Sequence, residues 1–129
     1  MSDIQDALIE LSKHPLIHDM AYKYRNAVEV SGFLVREPNF IKNDKTGMES
    51  CSFLLYQVEN TQKGLMVDIF GCLTFDDNLI KELSKLKGIT FLACVGKYRY
   101  NKKRNTHYAQ ISEMKVLYEI DMPLLKKEN

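Results

Sequence analysis

Five of the eight residues from Lys97 to Arg104 are basic: Lys97, Arg99, Lys102, Lys103 and Arg104. Tyr98 and Tyr100 sit between these cations, and Tyr108 closes the stretch that Gly96 opens. Cations at this spacing can follow a line of phosphates, and flat rings among them offer faces for unpaired bases. Such stacking is worth about 1–3 kcal/mol per base and tolerates any sequence. The alternative is a soluble hairpin whose cations merely solvate its tip, and this stretch alone does not choose between the two.

Other residues are weaker candidates. Phe40, Lys42 and Lys45 fall on a polar loop between two strand-like segments, and Tyr56 is either a second stacking platform or a half-buried strand tyrosine. His107 sits in the basic hairpin and is either a base-stacking ring or a solvated strand residue, the second being the plainer reading. His14 and His18 have an i, i+4 spacing, but Pro15 lies between them and no acidic or thiol partner is near, so no metal site is expected. Asp76, Asp77 and Glu82 fit helix capping and a helix surface better than a metal site, and Asp68 stands apart from them. No glycine-rich phosphate loop or nucleophile–base arrangement is present, so no catalytic site and no cofactor are expected.

The chain that must position these residues has 129 residues, enough for one domain with a modest core. Its formal net charge is +1, so any nucleic-acid argument is local and not a matter of bulk charge. Cys51, Cys72 and Cys94 are odd in number and lie in apolar surroundings, which favours buried thiols in a reducing cytoplasm over disulfides. The acidic N-terminus does not read as a secretory signal, and no apolar run approaches a membrane span.

Periodicity supplies the elements. Ile4, Ala7, Leu8 and Leu11 make one helical stripe, with Ser2 and Gln5 as a capping box and Pro15 as an interruption; the "LIHDMAYKYR" that follows resumes as a turn or short helix. From Asn26 the period becomes that of strands: "NAVEVSGFLVREP", with a bend at Gly32, then "ESCSFLLYQVE" and "LMVDIFGCL". Phe75, Leu79, Leu83 and Leu86 mark a second helix, capped by Thr74 or Asp76 and followed by Gly88. "ITFLACVGKYRY" and "THYAQISEMKVLYEI" are two more strands joined by "NKKRN". The expected fold is all-β with added helices: a five-stranded Greek-key OB-fold barrel, one helix between strands three and four, and an extra N-terminal helix. The expected division is a helical extension over 1–25, the barrel over 26–118, and a short tail over 119–129.

Over about residues 26–118 the chain resembles bacterial and phage single-stranded-DNA-binding proteins. The likeness lies in the Asn-Val start, Gly-x-Leu and acidic-Pro step of "NAVEVSGFLVREP", in "CSFLLYQVE", in the Phe-Gly of "VDIFGCL", in the Lys-Gly turn and closing glycine of "LKGITFLACVGKYR", and in "HYAQISEMKVL". It implies that Phe70 is a stacking ring. It also implies a non-enzymatic, cytoplasmic protein that coats single-stranded DNA in replication or recombination, assembled as a homo-oligomer, with a tetramer favoured and a dimer possible. Many family members stack bases on tryptophan, and this chain has none. The long tail with an acidic tip that recruits other replication proteins is also missing, although Asp121, Met122, Pro123 and Leu124 faintly echo that tip. A phage or mobile-element origin suits the missing tail. The alternatives are a primosome-type replication accessory and an OB-fold interaction module that does not bind nucleic acid.

Three structural expectations follow. The N-terminal helix packs its stripe on its own barrel or on a neighbouring subunit. The tail after Tyr118 contributes little, and its removal changes affinity for oligo-dT by less than about threefold, under 1 kcal/mol. In the basic hairpin a loop over 101–105 sets Tyr98 opposite Tyr108, with Tyr98 and Tyr100 on one face, Lys97 and Arg99 on the other, and Lys102 to Arg104 at the tip.

Overall fold

The computed structural model describes residues 3–13 and 27–127. Six strands form one sheet: β1 (Val28–Leu34), β2 (Asn39–Lys42), β3 (Glu49–Thr61), β4 (Gly64–Thr74), β5 (Gly88–Asn101) and β6 (Thr106–Pro123). Their order is β1-β5-β6-β4-β3-β2, and Phe33 pairs with Tyr56 to close β1 onto β3. Every pairing is antiparallel except β4–β6, where Cys72 lies beside Ala109 and Leu73 beside Gln110. β1, β3, β4, β5 and β6 are the five strands of the expected Greek-key barrel.

Strand alternation builds the core. Val30 and Leu34 of β1, Cys51, Phe53 and Leu55 of β3, Cys72 of β4, Leu92 and Cys94 of β5, and Ala109 and Ile111 of β6 point inward and form one cluster. Thr74 is also fully buried; its hydroxyl donates to the Ile111 carbonyl at 2.9 Å, so no polar atom is stranded where β4 meets β6. Burial pushes the thiols of Cys51, Cys72 and Cys94 up to about 12, with Cys94 adding to the effect at Cys72. They are neutral core side chains. At Gly32 a Cβ would lie 2.9 Å from the Tyr56 carbonyl oxygen, so the absent side chain lets β1 run against β3 while it still pairs with β5.

Helix α2 (Asp77–Lys85) covers one end of the barrel with Leu79, Ile80 and Leu83. Asp76 caps it: its carboxylate accepts from the amides of Asn78 and Leu79 at 2.9 and 3.1 Å. Gly88 is not its terminator. The chain leaves the helix extended at Leu86, and Gly88 already pairs with Pro123 at the start of β5.

Two further expectations need correction, and one of the two alternatives for the N-terminal helix is removed. Residues 39–42 are not loop: β2 pairs with the start of β3, Phe40 opposite Cys51 and Lys42 opposite Glu49. β6 does not stop near Tyr118 but runs to Pro123. Beyond it the chain adds three long-range backbone hydrogen bonds, from Leu124 N to Lys87 O, Leu125 N to Val35 O and Glu37 N to Leu125 O. Leu124 packs against the core. Finally, α1 (Asp3–Ser12) buries none of its residues, and Ile4, Leu8 and Leu11 are all exposed, so its stripe does not pack on its own barrel. Ser2, His14, Pro15, His18 and the "LIHDMAYKYR" segment lie outside the described residues.

The C-terminal pairing changes what truncation should do. Three backbone hydrogen bonds at roughly 0.5–1.5 kcal/mol each, with the end of the β5–β6 ladder and part of a leucine, put the cost of ending the chain after Tyr118 at about 2 kcal/mol or more. A thermal melt should show a drop of about 5 °C or more. An unchanged melting temperature would mean that residues 119–129 are a tail after all.

Candidate nucleic-acid interface

The strands β5 and β6 outrun the barrel and form a hairpin whose last pair is Asn101 with Thr106. Its turn is built by two asparagines. The Asn101 side-chain oxygen accepts from the amides of Lys103 and Arg104 at 3.1 and 3.3 Å, and Asn105 takes the left-handed conformation at φ 51°. The Tyr100 hydroxyl donates to the Asn105 side-chain oxygen and ties that ring to the turn. Lys102, Lys103 and Arg104 are exposed at the tip.

The register differs by one residue from the expected one. Tyr98 pairs with Ala109, Arg99 with Tyr108 and Tyr100 with His107, so the Tyr98–Tyr108 pair does not form. The turn spans 102–105, and that choice fixes every pair behind it. Tyr98 and Tyr100 share one face of the ribbon, together with His107. The His107 ring lies 5.2 Å from Tyr98 at 25° and 4.8 Å from Tyr100 at 38°. Lys97, Arg99, Tyr108 and Gln110 lie on the other face, where Arg99 Nε donates to Gln110 Oε1 at 3.2 Å.

Phe70 lies on the ring side. It pairs with Leu55, whose side chain points into the core, and its strand runs parallel to β6 from the Cys72–Ala109 pair. Two residues back along both strands are Phe70 and His107, on the same face as those buried residues. Phe70 is 37% exposed, Tyr98 50% and Tyr100 49%, so each ring is held on one side and reachable on the other.

The remaining candidates are elsewhere. Phe40, opposite Cys51, is four residues from Leu55 along β3, about 13 Å from the level of Phe70. Phe40 and Lys42 are exposed there, and Lys45 sits in the following turn, where its amide donates to the Asn43 side chain. Tyr56 is half-buried on the outer face, paired with Ile69 and Phe33, across the sheet from the rings. The residue the sequence undervalued is His107. The signal that could have found it was the register: any hairpin closing on Asn101 and Thr106 sets His107 opposite Tyr100.

The outer face holds a second feature. Leu54, Val58, Leu65, Val67 and Ile69 alternate on the side of β3 and β4 away from the core, all exposed. Phe33 and Phe91 continue it, edge to face at 4.8 Å. Among the described residues no group of three or more His, Cys, Asp or Glu is placed to hold a metal ion, and no helix is long and apolar enough to cross a membrane.

No family model and no curated protein matches the chain. Solved structures do. A mitochondrial single-stranded-DNA-binding protein from S. cerevisiae, Rim1, superimposes with a TM-score of 0.61 at 9% identity, covering 74% of this chain and 97% of that one. The Plasmodium falciparum SSB, solved in complex with ssDNA, gives 0.57 at 14% identity, covering 72% and 95%. The N-terminal domain of PriB from Thermoanaerobacter tencongensis, a dimeric structure, gives 0.55 at 17% identity, covering 73% and 98%. At these identities the likeness is one of fold. The chain has the OB-fold of these neighbours.

Proposed function

We propose that this protein is a non-enzymatic, cytoplasmic binder that coats single-stranded DNA without sequence preference in replication or recombination. The observation that carries the reading is the two-sided β5–β6 hairpin. Rings on one face, level with Phe70, give bases a stacking surface, while Lys97 and Arg99 on the other face and the three tip cations meet the backbone. The fold shared with solved ssDNA-binding proteins supports it.

The same reading includes a homo-oligomer, with a tetramer favoured. Its support is the apolar outer face of β3 and β4 and the uncovered stripe of α1, both of which a second copy would shield from water. Light scattering of the full chain and of a chain lacking residues 2–20 tests the helix's part in assembly. A lower mass without the helix is the expected result; an unchanged mass and melting temperature would remove the helix from the assembly.

The binding reading is tested on the cations. Alanine at Lys102, Lys103 and Arg104 should weaken dT-oligonucleotide binding about tenfold and flatten the log–log salt slope by about 2, since each phosphate contact in single strands contributes about 0.7. An unchanged slope would remove the tip from the phosphate path.

A further inference from the structure

We propose that His107 itself contacts the nucleic acid: it is the ring that joins Phe70 to Tyr98 and Tyr100 in one track, and when protonated it adds a phosphate contact in the middle of that track. The inference rests on the single-strand reading above and assigns a residue that the reading does not use. The geometry supports the first half. His107 lies within ring-contact distance of both tyrosines, and it sits two residues from Ala109 as Phe70 sits two residues from Cys72 on the parallel neighbour. A Cβ at Gly71 would lie 3.9 Å from the His107 carbonyl oxygen and from the Tyr108 Cβ, so β4 and β6 are still close at this level. The imidazole therefore lies, in strand order and on the same face, between the β4 ring and the β5 rings.

The distribution of charge supports the second half. Lys97 and Arg99 are on the opposite face, and Lys102, Lys103 and Arg104 lie beyond Tyr100 at the tip. The groups on the ring side around His107 are Tyr98 and Tyr100 from β5, Asp68 next to Phe70's position on β4, and Glu59 farther out on β3. Among the described residues of this face near the middle of the track, His107 is the basic one, and Asp68 and Glu59 would otherwise leave that region repelling phosphate. Imidazole is the side chain whose charge changes between about pH 5 and 8. The sign follows: protonation adds a cation beside the strand, so binding strengthens as pH falls.

The test uses the full chain and a labelled dT oligonucleotide, because thymine does not titrate in this range. Going from about pH 8 to about pH 5.5, the parent should bind about fivefold tighter near 0.1 M salt, with a salt slope steeper by about 0.7. His107→Phe should bind more tightly than His107→Gln at the higher pH, since the ring remains. It should also lose the pH response and the change in slope. His107→Gln should lose the pH response and bind more weakly at both pH values. If His107→Phe keeps the parent's pH response, the proton is taken up elsewhere and the inference is overturned while the single-strand reading stands. If the parent fails to bind dT at either pH, that reading falls and this inference with it.

Discussion

A Phe70→Ala, Tyr98→Ala variant binds oligo-dT about a hundredfold more weakly than the parent, a loss of about 3 kcal/mol, and keeps the parent's salt slope. Two features of the structure give this expectation. Both rings stand at the rim of the buried core, Phe70 two pairs past Phe53–Cys72 and Tyr98 opposite buried Ala109, so each is oriented by packed neighbours. Both also keep a third or more of their surface open, so truncation removes a stacking face without hollowing the core. Stacking involves no counterion release, which is why the slope stays while the affinity falls. The check is a dT titration at several salt concentrations, with a thermal melt to show that the variant is folded. A folded double variant that binds like the parent would make these rings packing residues beneath a purely electrostatic hairpin.

Gly96→Ala should lower the stability of the fold by about 3 kcal/mol or more, with a fall in melting temperature of about 10 °C. Gly96 stands where the barrel becomes the hairpin. The register shifts there: Val95 pairs with Glu113, but Gly96 pairs with Ile111, and the skipped Ser112 donates its hydroxyl to the Val95 carbonyl at 3.3 Å. This bulge drives the β6 backbone into the space over Gly96. A Cβ would lie 2.0 Å from the Gln110 carbonyl oxygen and 2.9 Å from the Ile111 Cα. Those atoms belong to paired backbone and cannot swing aside as a side-chain end would. Relief would require re-pairing β5 with β6, which carries Tyr98 and Tyr100 on one strand and His107 on the other. A urea or thermal melt checks the expectation. A variant melting within about 2 °C of the parent would show that the two strands are not held this close in solution.

Much of this fold was legible because single residues carry physical signals. Asp76 followed by Leu79 and Leu83 announces a capped helix with one apolar face, and α2 has that cap and that face. The alternation of Cys51, Phe53 and Leu55 announces a strand buried on one side, and β3 is one. Three things were hidden. β2 is four residues long, all exposed, and no burial pattern marks it; it exists because β3 offers it a partner. The end of β6 was hidden by Pro123, which reads as a breaker but sits at the strand's last pair, opposite Gly88. The hairpin register was hidden by "NKKRN" itself. Asparagine suits either end of a turn, so the letters allow Asn101 inside the loop or as its last paired residue, and only the bonds from the Lys103 and Arg104 backbone amides to the Asn101 side chain decide.

That one-residue difference matters most for the site. The separation of rings from cations along β5 depends only on alternation, so it could be read from Tyr98, Arg99 and Tyr100 alone. Which β6 side chain joins the rings depends on register, and it is His107 in place of Tyr108. The outer apolar face was harder still. Leu65, Val67 and Ile69 look like core residues in a sequence, and only their pairing with Asn60, Val58 and Tyr56 shows that they point outward.

The measurement that bears most directly on the account is the affinity of the full chain for a dT oligonucleotide at low salt, compared with a duplex of the same length. Unpaired bases can reach the rings of Phe70, Tyr98 and Tyr100, and stacked base pairs cannot. The expected result is tight dT binding that falls as salt rises, with a slope of about −0.7 per phosphate contacted, and much weaker binding of the duplex. No dT binding even at low salt would contradict it and leave an OB-fold interaction module; equal binding of duplex and single strand would reduce the site to its charge.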